Sequence, residues 1–461
     1  MEPSQPAPEL PEDPAWSRRD FIGGLAGAAV GLAVGELSAA PAAAAHRPPG
    51  ADRFSAEVPT AWFDLSLRLV QSATGFSPPV ASRAFAYSGL ALYEGVEPGM
   101  RGFRSLARLF PGLRGLPWAG RDTYDWPTVA NAALASILKS LVPTAGGEAL
   151  AATAALDARF DARSRRMLSP AVYHRSTKRG RDVAAAVFAW SQGDGGHEGY
   201  LRNFPPYSPP VGPGLWVPTP PGFLSALQPY WGRNRCFAIP DGTAHPPGDH
   251  PPYSVEAGSA FRREAREVYD TVNSLTSEQA TIARFWSDDP GETATPPGHS
   301  VSITTQVLRR ERSSLAEAAE TYARVGMAVS DAFVACWYQK YLYNLLRPVT
   351  YVNAEFDPDW LPLLVTPPFP EYPSGHSVQS GAAAQVLTDL FGKRYEFVDR
   401  THEARGFAPR RFGSFFEAAD EAAISRLYGG IHFRAAIVNG LAQGKRIGRA
   451  ASRLPLRGHK R

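Results

Sequence analysis

The chain reads as an all-α protein, helical in two long regions with a proline- and glycine-rich stretch between them. Three observations predict this. Ala, Leu and aromatic residues recur at helical spacing in the first and last parts of the chain. Pro, Gly and Asp clusters punctuate those runs. Between residues 193 and 254 the prolines are too dense for long helices or central strands.

In chain order, residues 54–192 form the first helical region, with helices expected over 81–96, 129–141, 147–159 and 178–190. Residues 193–254 hold many aromatics, as in 203–207, 214–218 and 230–232, which argues against disorder. An ordered extended segment that wraps the helices and helps frame an entry channel is expected. Residues 255–453 are helical again. A helix over 331–346 is expected to stop at Pro348, and an Ala-rich helix over 377–390 to follow Ser374 as N-cap. No short-period repeat is visible.

Residues 1–45 stand apart from this pattern. Ser17-Arg18-Arg19-Asp20-Phe21-Ile22 resembles a twin-arginine export signal, followed by a weakly hydrophobic Gly/Ala stretch and small-residue cleavage sites over 40–45. Glu36 and the many glycines make a poor membrane anchor. The expectation is export to the periplasm or medium, with no stable membrane insertion after the signal is removed. The 48 Lys and Arg against 44 Asp and Glu are scattered, which points away from nucleic acid. Two cysteines, Cys236 and Cys336, make no disulfide framework. Cys336 reads as a small buried side chain, and a bridge to Cys236 stays open.

Three distant segments share one chemistry. They are Lys340 to Pro348, Pro373 to His376, and Ser425 to His432. Together they hold one Lys, two Arg, a Ser-Gly turn and two His, with no acidic residue inside them. A divalent-cation site needs carboxylates, thiolates or several imidazoles. Fixed positive charge and aimed N–H donors suit a tetrahedral oxyanion instead. Lys340 and Arg347 are seven residues apart, two turns, and are expected on one helix face. Ser374 and Gly375 open a helix whose free N–H groups face an anion, with His376 in the first turn. Gly429-Gly430 breaks a helix so that Arg426 and His432 both turn inward.

These residues resemble the signature shared by the vanadium-dependent haloperoxidases and the type 2 phosphatidic acid phosphatase superfamily: K-x6-RP, then PSGH, then SR-x5-H. The run Pro367 to Phe369 ahead of Tyr372-Pro373, Trp337 three residues before the Lys, and the segments 77–83 and 216–221 look like the haloperoxidase branch, so the likeness spans roughly residues 60–450. It implies paired four-helix bundles with the site within the second, and a set of roles. Lys340, Arg347, Ser374, Gly375 and Arg426 would hold vanadate. His432 would bind the vanadium, His376 would move protons, and Trp337 and Phe369 would wall the pocket. Phe at position 369 is the chloroperoxidase-like choice. Many relatives carry an acidic residue where Ala436 stands, so the second nitrogen of His432 needs another partner, a backbone carbonyl being the expectation. Asp331 would either hold a site group from behind or cap a helix. His197, His245, His250 and His299 are expected on surface loops and not as ligands of a second metal.

The resemblance implies an enzyme that uses vanadate and hydrogen peroxide to oxidise a halide to a hypohalous acid equivalent, which reacts with a small organic acceptor. The rival is a secreted acid phosphatase that hydrolyses phosphate monoesters through a phosphohistidine in the same pocket, with no cofactor. A non-catalytic anion binder is disfavoured, because no anion-binding residue is missing.

Overall fold

The computed structural model describes residues 49–120 and 122–458; the twin-arginine segment lies outside them. Thirteen α-helices carry this part of the chain. They are α1 (Glu57–Ser72), α2 (Pro78–Val96), α3 (Trp126–Leu141), α4 (Gly147–Met167), α5 (Pro170–Ser191), α6 (Ala260–Asn273), α7 (Ser277–Phe285), α8 (Thr295–Arg310), α9 (Leu315–Tyr343), α10 (Pro348–Glu355), α11 (Gly375–Phe391), α12 (Phe415–Tyr428) and α13 (Arg434–Ser452). Two three-residue strands, β1 (Phe397–Asp399) and β2 (Arg410–Phe412), pair antiparallel, Phe397 opposite Phe412. The all-α expectation holds, and α2 to α5 cover the four helices expected in the first region.

Local chemistry sets the helix starts. Asp125, Ser169, Ser259 and Ser414 each accept a backbone N–H from the first turn. Thr276 with Gln279, and Ser314 with Glu317, complete capping boxes. Close packing then depends on missing side chains. A Cβ on Gly89 of α2 would sit 2.6 Å from the Tyr322 carbonyl oxygen of α9, and one on Gly326 of α9 2.9 Å from Ala86 Cα. So α2 and α9 lie backbone to backbone. The 29-residue α9 also packs on α11 and α13, and so joins the two helical regions. One apolar core runs from α1 and α2 through α9 to α11 and α12, and a second lies under α6, α10 and α13.

Residues 193–254 contain only two short 3-10 turns, Gly199–Leu201 and Trp231–Arg233. The segment is tied down by backbone bonds. Asp331 on α9 accepts the N–H groups of Phe237, Ala238 and Ile239 at 2.7–3.1 Å. Trp216 N–H donates to the Asn344 carbonyl, Leu346 N–H to Gly214, and Leu227 N–H to Pro368. Asp331 therefore anchors the connecting segment and holds no site group.

Three further expectations are corrected. The helix through Lys340 ends at Tyr343, because Asn344 takes a left-handed conformation as its cap (φ 46°). Residues 345–347 run extended, and Pro348 starts α10 with Arg347 as N-cap; the fixed φ of proline suits a first helical position. Lys340 and Arg347 thus meet across a helix end, not along one face. His299 is not on a surface loop but buried in α8, whose first turn takes up Pro296 and Pro297. Both cysteines are buried and free. Among the described residues no helix is long and apolar enough to cross a membrane.

Candidate functional site

Three chain segments meet at one point, as their chemistry predicts. The end of α9 brings Lys340, the 345–347 strap brings Arg347, the start of α11 brings Ser374 to His376, and the end of α12 with the following turn brings Arg426 and His432. Gly430 makes that turn at φ 76°. Lys340, Arg347, Ser374, Arg426 and His432 are all buried, whereas Gly375 and His376 are partly open. Gly375, His376, Arg426 and His432 face a cavity of about 380 Å³, walled by Trp337, Phe369 and Phe333 and by Phe223 and Leu224 of the connecting segment.

The three cations hold one another's surroundings with carbonyl oxygens. Lys340 Nζ donates to the carbonyls of Pro370 and Glu371, both at 2.9 Å. Arg347 donates to Phe369 and Ile431, both at 2.8 Å. Arg426 donates to Ser425 Oγ and the Ala283 carbonyl at 3.0 Å. None of the three forms a salt bridge among the described residues. Burial pushes Lys340 down to about 7 and both arginines down to about 10, against the opposing pull of Glu371 on Lys340 and Arg347 and of Asp289 and Asp288 on Arg426. Lys340 and Arg347 also lie over the face of Phe369, at 5.0 and 4.8 Å from its centroid, and Trp337 packs on the same ring at 4.9 Å. An anion entering here would restore the missing charge balance.

His432 has a carboxylate partner, not the expected carbonyl. Its Nδ1 lies 2.8 Å from Glu371 Oε1, which also accepts the Phe433 N–H at 2.8 Å. Burial and the charges of Arg347, Lys340 and Arg426 hold the imidazole well below its usual pKa. It is therefore neutral, with Nδ1 facing Glu371 and Nε2 facing Arg347 Nη1 at 3.4 Å. Burial raises Glu371 to about 8, with Lys340 and Arg347 pulling the other way. Ala436 is buried and its carbonyl accepts the Ser374 N–H, so the acid missing at that position is replaced from another segment. The motif reading passed over Glu371. The available signal was one carboxylate in the apolar run 367–376, two residues ahead of Pro373.

His376 Nε2 is a buried polar atom without a partner. Burial and the charge of Arg426 hold this ring well below its usual pKa. Ser374 Oγ accepts the Ser377 N–H at 3.4 Å, which leaves its O–H free to donate. The donor set therefore suits a tetrahedral oxyanion: three cations, a hydroxyl and a helix N-terminus, with two imidazole nitrogens beside them.

Comparison with known proteins gives this geometry a family. The family model described as VCPO second helical-bundle domain matches residues 320–457. A vanadium chloroperoxidase of Curvularia inaequalis is 25% identical over a stretch covering 34% of this chain and 36% of that protein. The crystal structure of a bacterial vanadium-dependent iodoperoxidase is 37% identical, with a TM-score of 0.80, covering 88% of this chain and 98% of the other. A bacterial vanadium-dependent chloroperoxidase shares the fold at 16% identity and TM-score 0.63, covering 83% and 93%. With the iodoperoxidase alike over nearly its whole length, this chain belongs to the vanadium-dependent haloperoxidases.

Proposed function

We propose that the chain is a vanadate-dependent haloperoxidase that oxidises a halide with hydrogen peroxide to a hypohalous acid equivalent and delivers it to a small organic acceptor. One observation carries this reading: Lys340, Arg347 and Arg426 are buried without a salt bridge, and Arg426 lines one cavity together with the imidazoles of His376 and His432. Lys340, Arg347, Ser374, Gly375 and Arg426 would hold vanadate, and His432 Nε2 would bind the vanadium. The bound group supplies a Lewis-acidic centre that activates the peroxide. Glu371 keeps the proton on His432 Nδ1 and so keeps Nε2 available. His376, neutral and with a free Nε2, takes a proton from the incoming peroxide and returns it to the departing product. Lys340 donates a hydrogen bond toward developing negative charge, and Phe369 with Trp337 limits water. Iodide is the first halide to test, because the 37% identical relative is an iodoperoxidase; Phe369 supports extending the assay to chloride. The signal-like segment supports twin-arginine export to the periplasm or medium.

The second reading is a phosphatase acting through a phosphohistidine, and the Glu371–His432 pair favours it in particular. It supplies the carboxylate that orients a histidine nucleophile. One experiment separates the two. Apoprotein is titrated with vanadate while peroxide-dependent iodination of a phenol and hydrolysis of a phosphate monoester are followed side by side. Halogenation that appears only with vanadate is expected. Strong hydrolysis with no vanadate-dependent halogenation would replace the first reading with the second.

A further inference from the structure

The cavity is larger and more apolar than a tetrahedral anion needs. Its volume of about 380 Å³ falls in the range of pockets for small organic molecules, about 300–1,000 Å³. Gly375, His376, Arg426 and His432 line one part of it, and most of the remainder is apolar. Phe333, Trp337 and Phe369 form an inner wall of buried aromatics. Two chain segments add an outer wall. Residues 219–227 bring Phe223 and Leu224, and residues 364–369 bring Leu364 and Val365. The Leu227 N–H donates to the Pro368 carbonyl at 2.8 Å and ties the two segments together. The Leu227 carbonyl in turn accepts the Tyr341 O–H at 2.7 Å and the Trp337 Nε1–H at 3.3 Å, which fixes them to α9.

Folding does not account for the outer wall. Phe223 is 63% exposed and Val365 71%, so neither gains much from burial. Phe223 also sits in left-handed backbone at φ 46°, which a bulky side chain rarely takes. Its N–H bonds to the Thr219 carbonyl at 3.0 Å and closes the turn that holds the ring there. An aromatic group that is both strained and exposed where it lines a cavity points to a use outside the fold. Charge narrows the occupant. Away from the anion-binding groups, the ionisable side chains of the cavity are Asp288 and Asp289. Asp288 is already bonded to His299 and His402. Asp289 is exposed. With Arg426 engaged by the oxyanion, an anionic guest would meet that carboxylate and an apolar wall.

We propose that the walls formed by residues 219–227, residues 364–369 and the α9 aromatics bind the organic acceptor. The acceptor is an uncharged, electron-rich aromatic molecule of the phenol or indole type, halogenated in the cavity and not in bulk solution. The source of the halogen rests on the haloperoxidase reading, whereas binding of the aromatic does not. The π electrons of the ring attack the halogen of the hypohalous acid. The carbon–halogen bond forms as the halogen–oxygen bond breaks, and the ring proton leaves with the displaced hydroxide as water. Holding the ring beside the point where the oxidant forms favours this step over escape of the oxidant.

The test begins without peroxide or halide. Naphthol, then a naphthol sulfonate, is titrated into the full-length protein with and without vanadate, followed by calorimetry and saturation-transfer NMR. Saturable binding of naphthol is expected, with the sulfonate about tenfold weaker. Phe223→Gly removes the ring and relieves the backbone. It should lose about tenfold in naphthol affinity without lowering the denaturant midpoint, a split that a merely structural role would not produce. Val365→Ser should lose about threefold. In turnover with iodide and both acceptors present, the ratio of naphthol to sulfonate product should exceed that given by added hypoiodite about tenfold. Phe223→Gly should bring it back toward the reagent's ratio. If Phe223→Gly does not fold, Val365→Ser and the wild-type titration decide. Absence of saturable naphthol binding overturns the proposal. So does binding that neither substitution weakens, or a product ratio equal to that of added hypoiodite. Naphthol bound as expected by a protein that halogenates nothing counts against the haloperoxidase reading alone.

Discussion

Two buried histidines, each bonded to carboxylate, end in opposite states. His432 faces one acid, Glu371, and the cations Lys340, Arg347 and Arg426. His299 faces two acids, Asp288 and Asp399. Burial disfavours the charged imidazole in both places. Among cations nothing offsets that cost, and His432 stays neutral with a lone pair to offer. Between two carboxylates the cost is more than offset, and His299 becomes a fixed cation. The same residue type is therefore neutral in one region and charged in the other, and what decides is the second neighbour, not the first.

The most severe break is His432→Ala. It removes the nitrogen proposed to bind vanadium while leaving Lys340, Arg347 and Arg426 unchanged. Stable vanadate retention, read by equilibrium dialysis, and halogenation should both fall to background. Halogenation that survives with unaltered vanadate affinity would sink the assignment.

The partner can be varied more finely. Glu371→Gln keeps an acceptor for His432 Nδ1–H and for the Phe433 N–H but loses the charge; Glu371→Ala loses both. Losses in kcat/KM for iodide of about 10–100-fold are expected, with Gln at the low end and Ala at the high end. Equal losses would mean that charge, not orientation, is what Glu371 supplies.

The cationic half of the comparison has a pH signature. Burial lowers Lys340 to about 7, so above that pH the unoccupied site loses a charge that a bound anion would retain. Burial raises Glu371 to about 8, and its ionisation pushes in the same direction. Anion affinity should therefore be greatest below 7 and weaken as pH rises, by about tenfold per unit for each linked proton. Sulfate, whose own charge is fixed over this range, is the probe for calorimetric titration. Lys340→Met should weaken binding at low pH and remove the part of the decline that begins near 7. Affinity independent of pH from 6 to 9 would show that Lys340 keeps its proton in the free protein.

The site was legible in sequence because its residues sit in three short motifs whose chemistry agrees. Gly375, His376, Arg426 and His432 line one cavity, and Lys340, Arg347 and Ser374 are buried, although Lys340 and Arg347 do not share the helix face expected of them. What could not be read was any partnership made across the fold. Glu371 pairs with a residue 61 positions away, and His299 with one 100 positions away. No local pattern announces either. His299 was misplaced for another reason: Pro296 and Pro297 read as loop, although proline in the first turn forfeits only N–H groups that lack helical partners anyway. Helix edges near the site failed similarly, since Asn344 as a left-handed cap competes with good helix formers on either side.

The smallest effect concerns the scaffold that holds the Ser374–His376 turn. Gly440, Gly444 and Gly448 lie four apart on α13 and press against α11. A Cβ at Gly444 would meet the Val378 carbonyl oxygen at 2.1 Å, and one at Gly448 the Ala382 carbonyl oxygen at 2.4 Å. Both obstacles are helix backbone, so the helices must part. Gly444→Ala should cost about 1–3 kcal/mol of stability, seen as a lower denaturant midpoint. Gly440 meets softer neighbours, Ser377 Cβ at 2.9 Å and the Ser374 carbonyl oxygen at 3.1 Å, but these belong to the anion-facing turn itself. Gly440→Ala should therefore cost less stability than Gly444→Ala and more sulfate affinity. The reverse ranking would mean that the turn is held by its own hydrogen bonds, and that the close approach of α13 serves packing alone.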